Sequence, residues 1–218
     1  FYTVEATDSN ASPETTTSSE QSYNVVDPDE ATIPYSEDFS DCNTHSWFVK
    51  TVGSELEWTC GNGYFEANAF SSSGAADDYL ISPSFNMDAQ TNEVLNFNSW
   101  TRFADVTSPQ IELLYTTNYT GNPSTTTWVN TLNPNWPEPD SQTTTNSGNI
   151  DISDITGTEV HFAFRYTSTG NVSGTTELWR IEDFDITTSN TPNITLSENT
   201  LSGFSYEIGN GPSTEQTF

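Results

Sequence analysis

Short runs in which apolar and polar residues alternate are the feature of this sequence that most limits its fold. The clearest is Glu159–Tyr166, where Val160, Phe162 and Phe164 occupy every second position. A period of two is typical of a β-strand with one buried and one polar face. Four more runs have strand composition: Tyr79–Ser82, Glu93–Phe97, Gln110–Tyr115 and Leu178–Ile186. No segment has a convincing helical period, so the sequence predicts an all-β protein, an antiparallel jelly-roll β-sandwich.

Composition along the chain predicts one folded domain between two extended terminal segments. Residues 1–30 are rich in Ser, Thr and carboxylates and contain no Lys or Arg, so they are too polar to bury a core alone. The jelly-roll domain is expected over residues 31–188. Residues 189–218 are interpreted as a linker and the partial start of a following β module, or as a strand that pairs elsewhere.

The charge balance excludes several classes of partner. The chain has 31 acidic and 4 basic residues, a net charge of −27. Nucleic-acid binding needs clustered Lys and Arg, and an anionic membrane surface would repel this chain. No apolar run approaches the roughly 20 residues of a membrane-spanning helix, so membrane insertion is not expected. The abundant Ser, Thr and Asn favour a secreted, extracellular protein.

Cysteine content is consistent with that location. Cys42 and Cys60 are the only cysteines. We expect a disulfide between them, because an even number of cysteines in an extracellular chain favours pairing. The alternative is two buried free thiols.

Catalytic signatures are lacking. His45 and His161 are the only histidines, and the sequence contains neither Gly-x-Ser-x-Gly nor His-Glu-x-x-His. Paired carboxylates could hydrolyse glycosides, but coincidental pairs are common among so many acids. The sequence therefore predicts a protein that is not an enzyme.

Tryptophan positions suggest a carbohydrate-binding surface. Exposed aromatic rings can stack on the C–H faces of sugars while Asn, Asp and Arg bind the hydroxyls. The candidate ligand-binding residues are Trp136, Trp128, Trp100 and Arg102. Each tryptophan has a plainer alternative, as a half-buried strand residue or, for Trp136, as a loop anchor. The other three, Trp47, Trp58 and Trp179, are expected in the core.

A structural role is the alternative function. Terminal segments such as Tyr23–Val26 or Gly203–Ile208 have strand character and could pair with a sheet edge of another copy. The chain would then be a subunit of an extracellular fibre or filament, assembled through its terminal strands.

Several motifs, in order, resemble a known group of modules. They are Glu37–Ser40 with Trp47, Asp77–Pro83, Leu95–Phe97, Val160–Tyr166 and Trp179–Ile186. Together they resemble the choice-of-anchor J and cleaved-adhesin domains of secreted Bacteroidetes proteins, to which the gingipain haemagglutinin modules are similar. The resemblance implies a jelly roll, type IX secretion, and a role in cell adhesion or carbohydrate attachment without a common catalytic activity.

The same resemblance implies a structural calcium ion where the first and last strands meet. The matching positions are Glu37, Asp38, Glu182 and Asp183. Calcium prefers six to eight oxygen ligands, which is compatible with such a set. Asp77 and Asp78 are interpreted as a turn before a strand, with a second oxygen cluster as the alternative.

These observations together predict a secreted, non-catalytic attachment module at the cell surface. Its partners are expected to be a polysaccharide or a surface protein, and in the alternative function copies of itself.

Overall fold

The structure is a computed structural model that describes residues 30–42, 46–52, 56–70, 74–104, 111–170 and 176–189, together with the strand backbone at 5–7 and 15–17. It contains a single short 3₁₀ helix, Met87–Ala89, within those residues. The strands are β1 Glu5–Thr7, β2 Thr15–Thr17, β3 Glu30–Ala31, β4 Tyr35–Glu37, β5 Phe48–Thr51, β6 Thr59–Gly61, β7 Tyr64–Asn68, β8 Ala76–Ile81, β9 Ser84–Phe85, β10 Glu93–Arg102, β11 Ile111–Thr116, β12 Thr145–Asn146, β13 Ile150–Asp151, β14 His161–Ser168 and β15 Leu178–Thr188.

Two antiparallel sheets form the domain. The larger sheet has the order β12-β10-β15-β7-β6, with β13 also paired to β10 and β4 also paired to β15. The smaller sheet has the order β11-β14-β8-β5. A short parallel pair joins β3 to β9, and β1 pairs with β2. The predicted jelly-roll β-sandwich is confirmed.

The core lies between the two sheets and is dominated by aromatic rings. Phe97 of the larger sheet and Phe164 of the smaller sheet meet edge to face at 4.8 Å between ring centroids. Trp47 contacts Phe184 at 4.8 Å in the same way. Such pairs add about 0.5–1.5 kcal/mol each to the free energy of burial. The predicted core tryptophans Trp47, Trp58 and Trp179 are all buried.

The five strands predicted from the sequence are confirmed as β8, β10, β11, β14 and β15. The interpretation of Asp77 and Asp78 as a turn is wrong, because both lie inside β8. Asp77 faces outward and its carboxylate binds Arg165, with 2.8 Å between Oδ1 and Nε. Asp78 faces inward and is fully buried. The ion pair with Arg165 therefore stabilises Asp77 in a strand where composition alone favoured a turn.

The first compact unit of the chain ends at Thr188. The segments expected to pair with other copies, Tyr23–Val26 and Gly203–Ile208, lie outside the described residues, as does almost all of the segment after Thr188.

Candidate functional site

The outer face of the larger sheet carries polar and aromatic side chains that the sandwich leaves facing solvent. Strand β10 alternates between buried and partly exposed residues along its length. Its partners continue the pattern, because Trp100 lies opposite Arg180 of β15, and Arg180 lies opposite Glu66 of β7. Paired residues of antiparallel strands point to the same face. Three neighbouring strands therefore bring an aromatic ring, a cation and a carboxylate into one row.

Arg180 is the centre of this row. Its guanidinium carbon lies 4.2 Å from the centroid of the Tyr64 ring and 4.7 Å from that of the Trp100 ring. Its Nε donates a hydrogen bond to Glu66 Oε2 at 2.8 Å. A guanidinium over aromatic faces is attracted by the ring quadrupoles. Arg180 thus fixes both rings in position, and both remain half-buried rather than covered.

Gly61 is needed for the position of Tyr64. It lies opposite Tyr64 in the β6–β7 pair. A Cβ atom at Gly61 would approach ring atoms of Tyr64 to 2.4 Å, closer than real side chains come. The glycine therefore leaves room for the tyrosine ring above β6, where the Arg180 guanidinium contacts it.

A row of asparagines continues the face away from Trp100. The Asn98 side chain donates to Asp183 Oδ2 at 2.9 Å, and Asn146 donates to Asn98 Oδ1 at 2.9 Å. Asn146 also donates to Asn96 Oδ1 at 2.7 Å. These bonds orient the amides relative to one another and to a fixed carboxylate. The result is a pre-organised set of donors and acceptors beside the aromatic rings.

A β-bulge in β15 places Asp183 in this row. The register of β10 and β15 shifts between Phe97 and Asn98, and Asp183 has a φ of 41°. Bulges add an unpaired residue and re-aim side chains, and they are common next to functional sites. The neighbouring Glu182 accepts a hydrogen bond from the Thr144 hydroxyl at 3.0 Å.

Only two of the four predicted ligand-binding residues belong to this face. Trp100 and Arg102 lie on it as outward-facing residues of β10. Trp136 is instead half-buried against the core, with its ring 5.4 Å from Phe97 and 5.6 Å from Trp179. Its position corresponds to the loop anchor considered as the alternative role.

Trp128 lies on the opposite side of the sandwich. Its ring stacks on Tyr79 at 5.7 Å, and its Nε1 donates to the Pro123 carbonyl at 3.2 Å. Together with Tyr119 it covers a second hydrophobic cluster on the outer face of the smaller sheet, which contains Tyr79, Ile81, Leu114 and Ala163. Burial raises the pKa of both Tyr79 and Tyr119 above the usual value of 10.0. The outer face of the smaller sheet is thus packed where that of the larger sheet is open.

The structure brings together the strands expected to hold calcium, but not the four carboxylates. Glu37 of β4 lies opposite Phe184 of β15, on the core side, whereas Glu182 points outward. Glu37 and Asp38 accept hydrogen bonds from the backbone amides of Phe39 and Ser40. In the described part of the chain, no group of three or more His, Cys, Asp or Glu side chains is arranged to hold a metal ion.

Cys42 and Cys60 are joined by a disulfide, with 5.7 Å between their Cα atoms. Cys60 belongs to β6, the edge strand that also carries Gly61. The bond therefore ties the Tyr64 side of the open face to the loop that follows β4.

Sequence reasoning missed Tyr64, Glu66 and Arg180. Arg180 lies within a predicted strand at an outward position, which was a usable signal. Tyr64 and Glu66 become neighbours of Arg180 through the order and register of the strands, which a single sequence does not reveal.

Comparison with known protein families gives one match over most of the chain. The model of a family described as a domain of unknown function, DUF5017, matches residues 37–204. No curated protein sequence matches the chain significantly. No helix among the described residues is long and apolar enough to cross a membrane.

Solved structures that match the chain include adhesin and carbohydrate-binding modules. The K1 cleaved adhesin domain of Lys-gingipain from Porphyromonas gingivalis is 14% identical, with a TM-score of 0.43 over 71% of this chain and 98% of that domain. A carbohydrate-binding module of the β-sandwich superfamily is 10% identical, with a TM-score of 0.41 over 84% of this chain and 72% of that one. The CBM22-1 xylan-binding domain of Paenibacillus barcinonensis Xyn10C is 14% identical, with a TM-score of 0.37 over 70% of this chain and 92% of that one.

Proposed function

The chain belongs to the DUF5017 family, a domain of unknown function. From its own surface we propose that it is a non-catalytic carbohydrate-binding module, and that its binding site is the outer face of the larger sheet. The observation that carries the proposal is the pair of half-buried rings, Trp100 and Tyr64, held on either side of Arg180 on an otherwise polar face. Binding sites for small molecules combine such apolar surfaces with a few fixed polar groups.

The chemistry of the face favours sugar hydroxyls. Glu66, Arg180 and the asparagine row offer both acceptors and donors, and their mutual hydrogen bonds hold them in place before a ligand arrives. Pre-organised groups lose little entropy on binding. The aromatic rings supply the flat apolar surface against which the C–H face of a pyranose packs.

The charge of the chain favours an uncharged glycan. At a net charge of −27 the protein repels polyanions, and the Arg180 charge is paired with Glu66. Local hydrogen bonding and stacking, rather than net charge, then drive binding.

The carboxylates of this face support binding rather than hydrolysis. Glu66 accepts from Arg180, Glu182 accepts from Thr144 and Asp183 accepts from Asn98. Each is held as a hydrogen-bond acceptor within the sheet. This arrangement suits a site that orients hydroxyl groups.

Electrophoresis in gels that contain polysaccharide tests the proposal. Hydroxyethylcellulose, glucomannan and xylan represent uncharged chains, and carboxymethylcellulose is the charged counterpart of the first. We expect at least one uncharged polysaccharide to slow the protein and carboxymethylcellulose not to.

Variants assign that retention to the proposed face. Trp100→Ala should abolish retention, whereas Trp128→Ala, which removes a tryptophan from the opposite face, should leave it intact. Free migration of the wild-type protein in every gel, or full retention of Trp100→Ala, would contradict the proposal.

The cellular setting of this binding is also a proposal. The Cys42–Cys60 disulfide supports an extracellular location, because disulfides persist in oxidising compartments. There the module would attach its parent protein or cell to a polysaccharide. The choice-of-anchor J relationship, type IX secretion and assembly into filaments stay predictions from the sequence.

Calcium binding by Glu37, Asp38, Glu182 and Asp183 also stays a prediction. A ligand that binds only the folded state stabilises it by about 2.7 kcal/mol at a hundred times its Kd. If calcium binds there, a chelator lowers the melting temperature of the wild-type protein, and Glu37→Gln removes that sensitivity. An unchanged melting temperature of the wild-type protein with chelator would reject the site.

A further inference from the structure

Phe103 is an exposed phenylalanine held in an unusual backbone conformation at the end of β10. Alternation along β10 predicts that Phe103 points inward, as Thr101 does. Instead its φ is 63° and the residue is 57% exposed. A bulky side chain in the left-handed region is rare and raises the energy of the folded state. Core packing therefore does not explain the conformation.

The surrounding residues hold the ring in this exposed position. The Phe103 amide donates a hydrogen bond to Asp140 Oδ1 at 2.9 Å, and Asp140 itself has a φ of 55°. The guanidinium carbon of Arg102 lies 4.5 Å from the centroid of the Phe103 ring. Arg102 is an outward-facing residue of β10, two positions after Trp100. The Phe103 ring is thus placed beside the same face as the Trp100 ring.

Arg102 is unlike the other arginines. Arg165 pairs with Asp77 and Glu112, and Arg180 pairs with Glu66. Among the described residues Arg102 makes no salt bridge, although acidic residues are abundant in this chain. Within the described residues, no ion pair competes with a ligand over Phe103 for these hydrogen-bond donors.

We propose that Phe103, with Arg102 beside it, is a second aromatic subsite, and that the ligand is an uncharged polysaccharide chain that runs along β10 past the end of the strand. The proposal rests on the carbohydrate-binding function assigned above and adds the direction and extent of the bound chain. From Asn96 to Arg102 the strand spans about 20 Å at roughly 3.3 Å per residue, and Phe103 follows directly. A single sugar cannot cover that length, so several consecutive sugar units contact the protein.

The consequence is a dependence of affinity on chain length. Short oligosaccharides that contact Trp100 but do not reach the end of β10 bind without Phe103, whereas longer ones gain its contact. Stacking on one aromatic ring is expected to raise affinity roughly threefold to tenfold.

The experiment uses a partial hydrolysate of the polysaccharide that retains the protein, separated by length from disaccharide to octasaccharide. Isothermal titration of the wild-type protein should show affinity rising with length and then levelling off. Phe103→Ala should bind the shortest oligosaccharides like the wild-type protein and lose the gain from longer ones. Phe103→Tyr, which keeps an aromatic ring, should restore that gain.

Two further variants separate the subsite from a general effect. Asp140→Ala removes the acceptor that holds the Phe103 amide, and it should reduce the length-dependent gain without affecting short oligosaccharides. Phe70→Ala removes another exposed phenylalanine, at 67% exposure, and should leave the gain intact.

Some outcomes would reject the second subsite and leave binding at Trp100 in place, and one outcome would reject both. Wild-type length dependence in Phe103→Ala, or a gain lost in Phe70→Ala but kept in Phe103→Ala, would overturn the second subsite while binding at Trp100 stands. Absence of binding to every polysaccharide would overturn both.

Discussion

The two outer faces of the sandwich use tryptophan in opposite ways. On the smaller sheet, Trp128 stacks on Tyr79 and helps to bury a second hydrophobic cluster. On the larger sheet, Trp100 lies beside Arg180 within a row of polar side chains. Both tryptophans are half-buried, so exposure alone does not separate them. The residues around each ring do separate them. An apolar cluster under the ring indicates that the tryptophan covers hydrophobic side chains, whereas a fixed cation with hydrogen-bonding groups indicates a binding surface.

The largest expected effect comes from the disulfide at the edge of the open face. Loss of a disulfide that closes a loop of this size lowers the free energy of unfolding by about 3 kcal/mol. The Cys42→Ser, Cys60→Ser double variant should show this loss in urea denaturation. It should also bind glycan more weakly, because β6 carries the glycine on which Tyr64 rests.

Reducing agent provides the control for that prediction. It should destabilise the wild-type protein and leave the double variant unchanged. Equal stability of the wild-type protein and the double variant would show that the edge of the open face does not depend on the disulfide.

Removing the lid of the covered face should have the next largest effect. Trp128→Ala is expected to lower the free energy of unfolding by about 2 kcal/mol, less than for a fully buried tryptophan because Trp128 is half-buried. Glycan affinity should not change. Thermal unfolding measures the stability of the variant, and titration of the same preparation with glycan measures its affinity. A loss of affinity without a loss of stability would show that Trp128 binds glycan and does not stabilise the fold.

Phe103→Gly should separate binding from stability at the edge of the open face. Glycine adopts a positive φ without strain, so we expect an increase in the free energy of unfolding of about 0.5–1 kcal/mol. Affinity for long oligosaccharides should fall at the same time. Phe70→Gly is the matched control, because Phe70 is also exposed but its backbone is not left-handed, and it should not be stabilised. A destabilised Phe103→Gly would mean that the conformation is not strained.

The smallest effect concerns tyrosine ionisation on the covered face. Burial raises the pKa of Tyr79 and Tyr119. A tyrosine whose pKa is raised in the folded state stabilises it fully below about pH 10, and this contribution is lost as pH rises through the folded pKa. Trp128→Ala should lower both pKa values, since it admits water to the rings.

Phenolate absorbance, with Tyr79→Phe and Tyr119→Phe to assign the signals, measures this shift. Tyr166, buried between the sheets with its pKa raised to about 12, serves as an internal reference that should not move. Unchanged values for Tyr79 and Tyr119 in Trp128→Ala would show that Trp128 is not the lid of that face.

Much of the fold was predictable because it depends on local pattern. The period of two in Glu159–Tyr166 requires only that one face of the strand packs in the core, and β14 buries Phe162 and Phe164 there. The other face is not polar as predicted, because Ala163 is buried in the second cluster. Trp47, Trp58 and Trp179 lie in or beside strand-like segments and are buried as predicted. Asp77 and Asp78 were misread because the ion pair with Arg165 joins residues far apart in sequence.

The candidate site was only half predictable for the same reason. Trp100 and Arg102 could be chosen from a strand pattern, but Tyr64 and Arg180 join them only through the order β10-β15-β7. Trp136 lies in a polar segment, yet it packs on Phe97 and Trp179 because the chain returns across the edge of the core. Phe103 could not be predicted as a candidate, because its exposure depends on a backbone conformation that composition does not reveal.

The most direct test of the central claim, that the open face binds glycan and the covered face does not, is an NMR titration of the tryptophan indole N–H signals. The chain contains 6 tryptophans, so assignment by single Trp→Phe variants is practicable. When oligosaccharides from the polysaccharide that retains the protein are added, the Trp100 signal should shift and the Trp128 signal should not move. A shift of Trp128 with Trp100 unmoved would contradict the account.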